Sequence, residues 1–163
     1  MKYLEQWERV KRWHARLQNF NSFKTSATAE EVQDNLYAFF LNCYHLKDWL
    51  KQSFPEKSAK VEALYDKNKG VLCLKICADM TNANKHTRLL ERTARSNNHA
   101  TSILSISATR TLHITQPKTL TPPMPGIRWS FDIFFDDKKY DAYEVANQCM
   151  EELEKYLKTL RGL

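Results

Sequence analysis

Apolar residues recur along this chain first with the period of a helix and later with the period of a strand. Residues 2–20 carry Leu4, Trp7, Val10, Trp13 or His14, and Leu17 at steps of three and four, then reach the turn-like Asn19-Phe20-Asn21-Ser22, which predicts a first helix. Thr28-Ala29-Glu30-Glu31 has the form of a capping box, in which the Thr hydroxyl accepts from the backbone N–H of the residue whose carboxylate reaches back. A long second helix is therefore expected over 28–52. Its seam is Val32, Leu36, Phe39, Cys43, Leu46 and Leu50, in alternating steps of four and three. On the opposite side Tyr37, Leu41, Tyr44, His45 and Asp48 share a stripe, where a solvated helix back would carry Lys and Glu. That second face is expected to meet another helix, a second subunit or a ligand.

Pro55 sits where a missing N–H does no harm, in the first turn of a helix expected over 55–67 and closed by Lys67-Asn68-Lys69-Gly70. The next helix, 71–92, places Leu72, Ile76, Asp79, Asn82, Ala83, His86 and Leu89 on one stripe, so that apolar ends bracket a polar middle. Beyond Ser96-Asn97-Asn98 the period falls to two. Leu104, Ile106, Ala108, Leu112 and Ile114 predict a strand within 100–115, and Ile127, Trp129, Phe131, Ile133 and Phe135 another over 127–136, joined by a Pro-rich loop. Asp141-Ala142-Tyr143-Glu144 repeats the capping pattern and opens a last helix, 141–161, with Ala146, Cys149, Leu153, Tyr156 or Leu157, and Leu160 as its seam. The fold expected is mainly α: one domain over 1–163, a four- to five-helix bundle with an antiparallel β-hairpin inserted between the penultimate and last helices.

Composition changes this picture little. A chain of 163 residues fits one domain with a sizeable core, and 3 Gly and 5 Pro leave most of it free to be regular. The charged start, Met1-Lys2-Tyr3-Leu4-Glu5, lacks the apolar core of a secretory signal, and no apolar run approaches the roughly 20 residues of a membrane span; a cytoplasmic protein without membrane partners is the expectation. Cys43, Cys73, Cys77 and Cys149 each lie in an apolar helical stretch, where a reduced thiol acts as a small hydrophobe. Cys73 and Cys77, four apart, could alternatively hold zinc with Cys43 or a His, but the C-x-x-C knuckle is missing. No cofactor is expected. The net charge of +6 fits an anionic partner such as RNA, although the cations Lys85, Arg88, Arg92 and Arg95, or Lys155, Lys158 and Arg161, would equally suit a solvated helix face.

Candidate chemistry gathers in two segments, Asn42 to Trp49 and Asp79 to His86, where polar residues interrupt apolar helices. His45 and Asp48 are three apart on one face; Asp79, Asn82 and His86 follow one line on another helix. If the helices are neighbours, both His, both Asp, Asn82 and Lys47 or Lys85 converge in one cleft. Histidine titrates near neutral pH and can serve as general acid or base, while a lysine can stabilise charge on a phosphate. The alternative is a satisfied network that only fixes helix register. A metal site of His45, His86, Asp48 and Asp79 has no H-E-x-x-H to mark it.

A helical bundle whose later helix carries Thr81-Asn82-Ala83-Asn84-Lys85-His86 resembles the HEPN superfamily, the higher eukaryote and prokaryote nucleotide-binding domains. Many of these are metal-independent ribonucleases of toxin–antitoxin, CRISPR-associated and anti-phage systems, with a signature of Arg, a polar residue, three more residues and His. The match runs from Asn82 to His86, and Thr81 stands where the Arg belongs. The resemblance implies a homodimer that binds or cuts RNA, with an antitoxin or regulatory protein as a further partner. His86 and His45 would be general acid and base, Asn82, Asp48 and Asp79 would orient them, and Lys85, Lys47, Arg88 and Arg92 would hold phosphate. The other reading is a binding or regulatory module without catalysis.

Overall fold

The computed structural model describes residues 2–21, 27–85, 107–112, 127–136 and 138–161. Its elements are α1 (Lys2–Asn21), α2 (Ala29–Ser53), a 3-10 turn (Pro55–Lys57), α3 (Ser58–Ala63), α4 (Leu72–Lys85), β1 (Ser107–Leu112), β2 (Ile127–Phe135), β3 (Lys138–Asp141) and α5 (Ala142–Arg161). It is mainly helical, with one small antiparallel sheet in the order β1-β2-β3.

The capping chemistry sets where α2 and α5 begin. The Glu31 N–H donates to Thr28 Oγ1 at 3.2 Å, and the Thr28 N–H donates to a Glu31 carboxylate oxygen at 2.8 Å, closing both halves of the box. At α5 the Glu144 N–H donates to Asp141 Oδ1 at 2.9 Å. α2 is the hub of the bundle, touching α1, α3, α4, α5 and β2. Val32, Leu36, Phe39, Cys43, Leu46 and Leu50 are all fully buried along it. Each such Leu or Phe contributes about 1.5–3 kcal/mol of hydrophobic stabilisation. Gln6 Nε2 donates to the Asn42 carbonyl at 2.9 Å and the His14 ring lies 5.7 Å from that of Phe39, so α1 runs antiparallel along one flank of α2. α5 takes Leu157, not Tyr156, into its seam; Tyr156 is only half-buried.

Two expectations are corrected. The segment expected as one helix over 55–67 is a 3-10 turn followed by a single short helix ending at Ala63. The Asp66 carboxylate accepts from the N–H groups of Asn68 and Lys69 at 2.9 and 2.8 Å, holding the backbone in a turn that competes with helix. Gly70 is required in that turn, because a Cβ there would come within 2.4 Å of the Asp66 carbonyl oxygen. The inserted hairpin is a three-stranded sheet: after a turn in which Asp136 adopts φ 50°, β3 pairs with β2 at Ile133↔Tyr140 and Phe135↔Lys138. Phe131, Ile133 and Phe135 face the core, as their alternation requires. Within the expected strand over 100–115, the described part is Ser107–Leu112, paired with β2 at Arg110↔Trp129. The loop expected between 116 and 126 lies outside the described residues.

α4 departs most from its expected form. Cys73, Leu74, Ile76, Cys77, Ala78, Asp79, Met80 and Thr81 are all buried, so the helix is wrapped on nearly every side and carries its polar middle inside the core. No helix among the described residues is long and apolar enough to cross a membrane.

Candidate functional site

α4 is registered on α2 by one carbonyl. The Cys77 thiol and the Thr81 hydroxyl both donate to the Phe40 carbonyl, at 3.1 and 3.3 Å, and Thr81 also donates to its own helix at Cys77 O, 2.9 Å. The stretch Cys77–Thr81 therefore lies beside Phe40. His45 is five residues further along α2 and Asp48 eight, which at 1.5 Å rise per residue is about 7.5 and about 12 Å along the axis. The two polar segments are thus neighbours in the fold but staggered along it.

Their side chains also differ in exposure. Asp79 is 0% exposed and Thr81 2%, both inside the core; Asn82 and His45 are half-buried. Asp48 is exposed and lines a shallow depression of about 500 Å³ with Lys51, Gln52, Pro55 and Ser58. The structure does not bring Asp48 and Asp79 into a common cleft. Lys85 is described only as the last residue of α4, and His86, Arg88 and Arg92 lie outside the described residues.

The second face of α2 meets the chain itself at Tyr44, whose ring stands edge-on to that of Tyr65 at 5.9 Å; Tyr37 and Leu41 are half-buried. Lys47 is drawn into the same place. Its ammonium donates to Glu62 Oε1 at 3.2 Å and to the Tyr44 hydroxyl at 3.4 Å, and it lies 4.7 Å from the Tyr44 ring centre and 5.9 Å from that of Tyr65. Only 8% of the Lys47 side chain is exposed, so these contacts use the charge that phosphate binding would need. Lys51 donates to the other Glu62 oxygen at 3.3 Å. Partial burial pushes the Glu62 carboxyl up, but the Lys47 charge and hydrogen bond, then those of Lys51, outweigh it and hold the group below its ordinary value.

A cluster of cations appears where sequence reading placed none as a unit, at the end of the bundle where α1 begins and α2 and α5 stop. Arg161 Nε donates to the Tyr3 hydroxyl at 3.2 Å, the Tyr3 and Phe54 rings are 5.2 Å apart, and Lys57 Nζ lies 5.7 Å from the Phe54 ring and 3.4 Å from the Leu160 carbonyl oxygen. These contacts tie Lys57 and Arg161 to one place. Lys2 is exposed at the start of α1 and Lys158 in the last turn of α5, and Lys60 is exposed on α3, three residues after Lys57. The cations complement the carbonyl ends of α2 and α5. Lys158 and Arg161 are legible as last-turn cations, but Lys2, Lys57 and Arg161 are far apart in sequence and meet only through the antiparallel packing of α1 on α5.

Among the described residues no group of three or more His, Cys, Asp or Glu side chains is placed to hold a metal ion. The chain matches no protein-family model, no curated protein and no solved structure.

Proposed function

We propose that this chain is a HEPN-like RNA-binding bundle that grips phosphate with its basic pole, Lys2, Lys57, Lys60, Lys158 and Arg161, and uses the polar residues of α4 to hold the core. The observation that carries this reading is that Lys57 and Arg161 meet at one end of a protein of net charge +6, with the exposed Lys2, Lys60 and Lys158 one to three residues along the chain from Tyr3, Lys57 and Arg161. Cations clustered on one surface release condensed counterions when they meet a nucleic-acid backbone, and that release supplies most sequence-independent affinity. Binding is favoured over cleavage because the Asp79 carboxylate and the side chain at position 81 are sealed from solvent and the Lys47 ammonium is already paired. A general acid or a phosphate clamp has to reach substrate.

The test is fluorescence anisotropy of a labelled single-stranded RNA across a salt series, with Lys2→Gln/Lys60→Gln/Lys158→Gln beside the wild type. Wild type is expected to bind at low salt. The triple variant should bind at least ten-fold more weakly, with a salt slope shallower by about 2, from roughly 0.7 per lost contact on a single strand. No binding at 50 mM salt, or equal affinity in the triple variant, would remove the reading. RNA that is cut by wild type and left intact by His86→Ala would replace binding with catalysis.

A further inference from the structure

All four cysteines of the chain come together. Cys43 on α2, Cys73 and Cys77 on α4 and Cys149 on α5 are buried and reduced. Two hydrogen bonds fix the arrangement: Cys77 Sγ donates to the Phe40 carbonyl at 3.1 Å, and Cys149 Sγ donates to the Cys73 carbonyl at 3.3 Å. The four thiols are close enough to act on one another's titration in the order Cys43, Cys77, Cys149, Cys73, which makes them neighbours. A row of sulfurs therefore crosses the core from α2 through α4 to α5. Packing alone would be met by Ala or Val at any of these positions, and nothing in packing asks that every thiol of the chain be adjacent to another.

We propose that this row is an oxidation site, in which Cys73 and Cys149 are converted to an intramolecular disulfide that staples α4 to α5. Cys73 begins it because it is the second residue of α4, directly after the exposed Leu72, and so is the member of the row uncovered first when that helix end opens. With a hydroperoxide as oxidant, Cys73 Sγ attacks the terminal oxygen and the O–O bond breaks, leaving a sulfenic acid on Cys73 and releasing an alcohol, or water from hydrogen peroxide. Cys149 Sγ then attacks the Cys73 sulfur. The S–S bond forms, the S–O bond breaks, and the hydroxyl leaves as water with the Cys149 proton. Two thiols are oxidised by two electrons and one peroxide is reduced. Cys77, in contact with Cys149, is placed to exchange into this disulfide and pass it inward.

The site is built to react slowly. The neighbouring Cys149 thiol, then burial, hold the Cys73 thiol far above its ordinary range, and burial does the same for Cys77 and Cys149. Thiolate is the nucleophile, so the closed bundle protects the row and oxidation follows opening. The disulfide closes the long loop from Cys73 to Cys149, which removes entropy from the unfolded chain and should raise Tm by several degrees.

The experiment treats the folded full-length chain with hydrogen peroxide, quenches with N-ethylmaleimide in denaturant and maps the peptides by mass spectrometry. The expected result is loss of two alkylatable thiols per chain, a Cys73–Cys149 linked peptide, a rate that rises several-fold in sub-denaturing urea, and a higher Tm that falls back on reduction. Cys149→Ala should form no such link and leave a sulfenic acid on Cys73 that dimedone traps. Four alkylated thiols after peroxide, or a disulfide found only between two chains, overturns the proposal; if Cys149→Ala does not fold, the wild-type map decides alone.

Discussion

Thr81→Arg will destabilise this protein by roughly 3 kcal/mol or more and will not create a nuclease, although it completes the HEPN-like signature ahead of Asn82 and His86. The side chain at position 81 is 2% exposed, and its hydroxyl is bonded to the carbonyls of Phe40 and Cys77. Arginine there would lose both bonds, force several heavy atoms between α4 and α2, and bury a guanidinium beside two backbone carbonyls. Asp79, two residues away, projects from the other side of the helix and cannot pair with it locally. Overpacking alone costs about 1–3 kcal/mol and the unpaired charge adds to it. For a chain of this size that corresponds to a fall in Tm on the order of ten degrees. Urea titration and thermal melting measure it. A variant as stable as wild type that cuts RNA would show that position 81 opens to substrate and would restore the catalytic reading.

How far the fold can be read from the chain depends on whether each helix shows one side or all sides to the core. α2 was legible in detail: its seam from Val32 to Leu50 is fully buried, and the Thr28 box starts it. A helix with one apolar stripe announces its orientation through its period. α4 gives no such contrast, because burial all round removes the periodic alternation, and the fully buried Asp79 reads with Asn82 as a polar face. β3 is illegible for a related reason. It spans only Lys138–Asp141, with two exposed residues followed by two half-buried ones, so a period of two has no room to appear. From its neighbours in sequence Lys47 reads as a cation open to phosphate; what changes its role is Glu62 on α3 and Tyr65 after it, which no local pattern connects to α2. The basic pole is illegible on the same ground, since it is made by helix packing alone.

Lys47→Glu should be the most pH-sensitive substitution in this protein, costing about 3 kcal/mol or more at neutral pH and much less in acid. In wild type the Glu62 carboxyl is held below its ordinary 4.5, so its contribution to stability is present above that value and is lost as pH falls through the lower, folded-state one. Glu62 is half-exposed, with 51% of its side chain open, so water screens the pair and the acid-side loss should be modest. The variant reverses the sign. A carboxylate at position 47 would sit in a site only 8% exposed, facing Glu62 where an ammonium stood 3.2 Å away, with the Tyr44 and Tyr65 rings no longer over a cation. Burial and the like charge both favour the protonated forms, so the folded-state values rise above the unfolded ones. Stability is then fully present below the unfolded carboxyl range and is lost as pH rises through the raised values. Thermal melts from pH 3 to 8 should therefore show wild type falling toward the acid end while the variant gains on it. Parallel profiles would mean that Lys47 and Glu62 are not coupled, and would return Lys47 to the set of cations free to meet RNA.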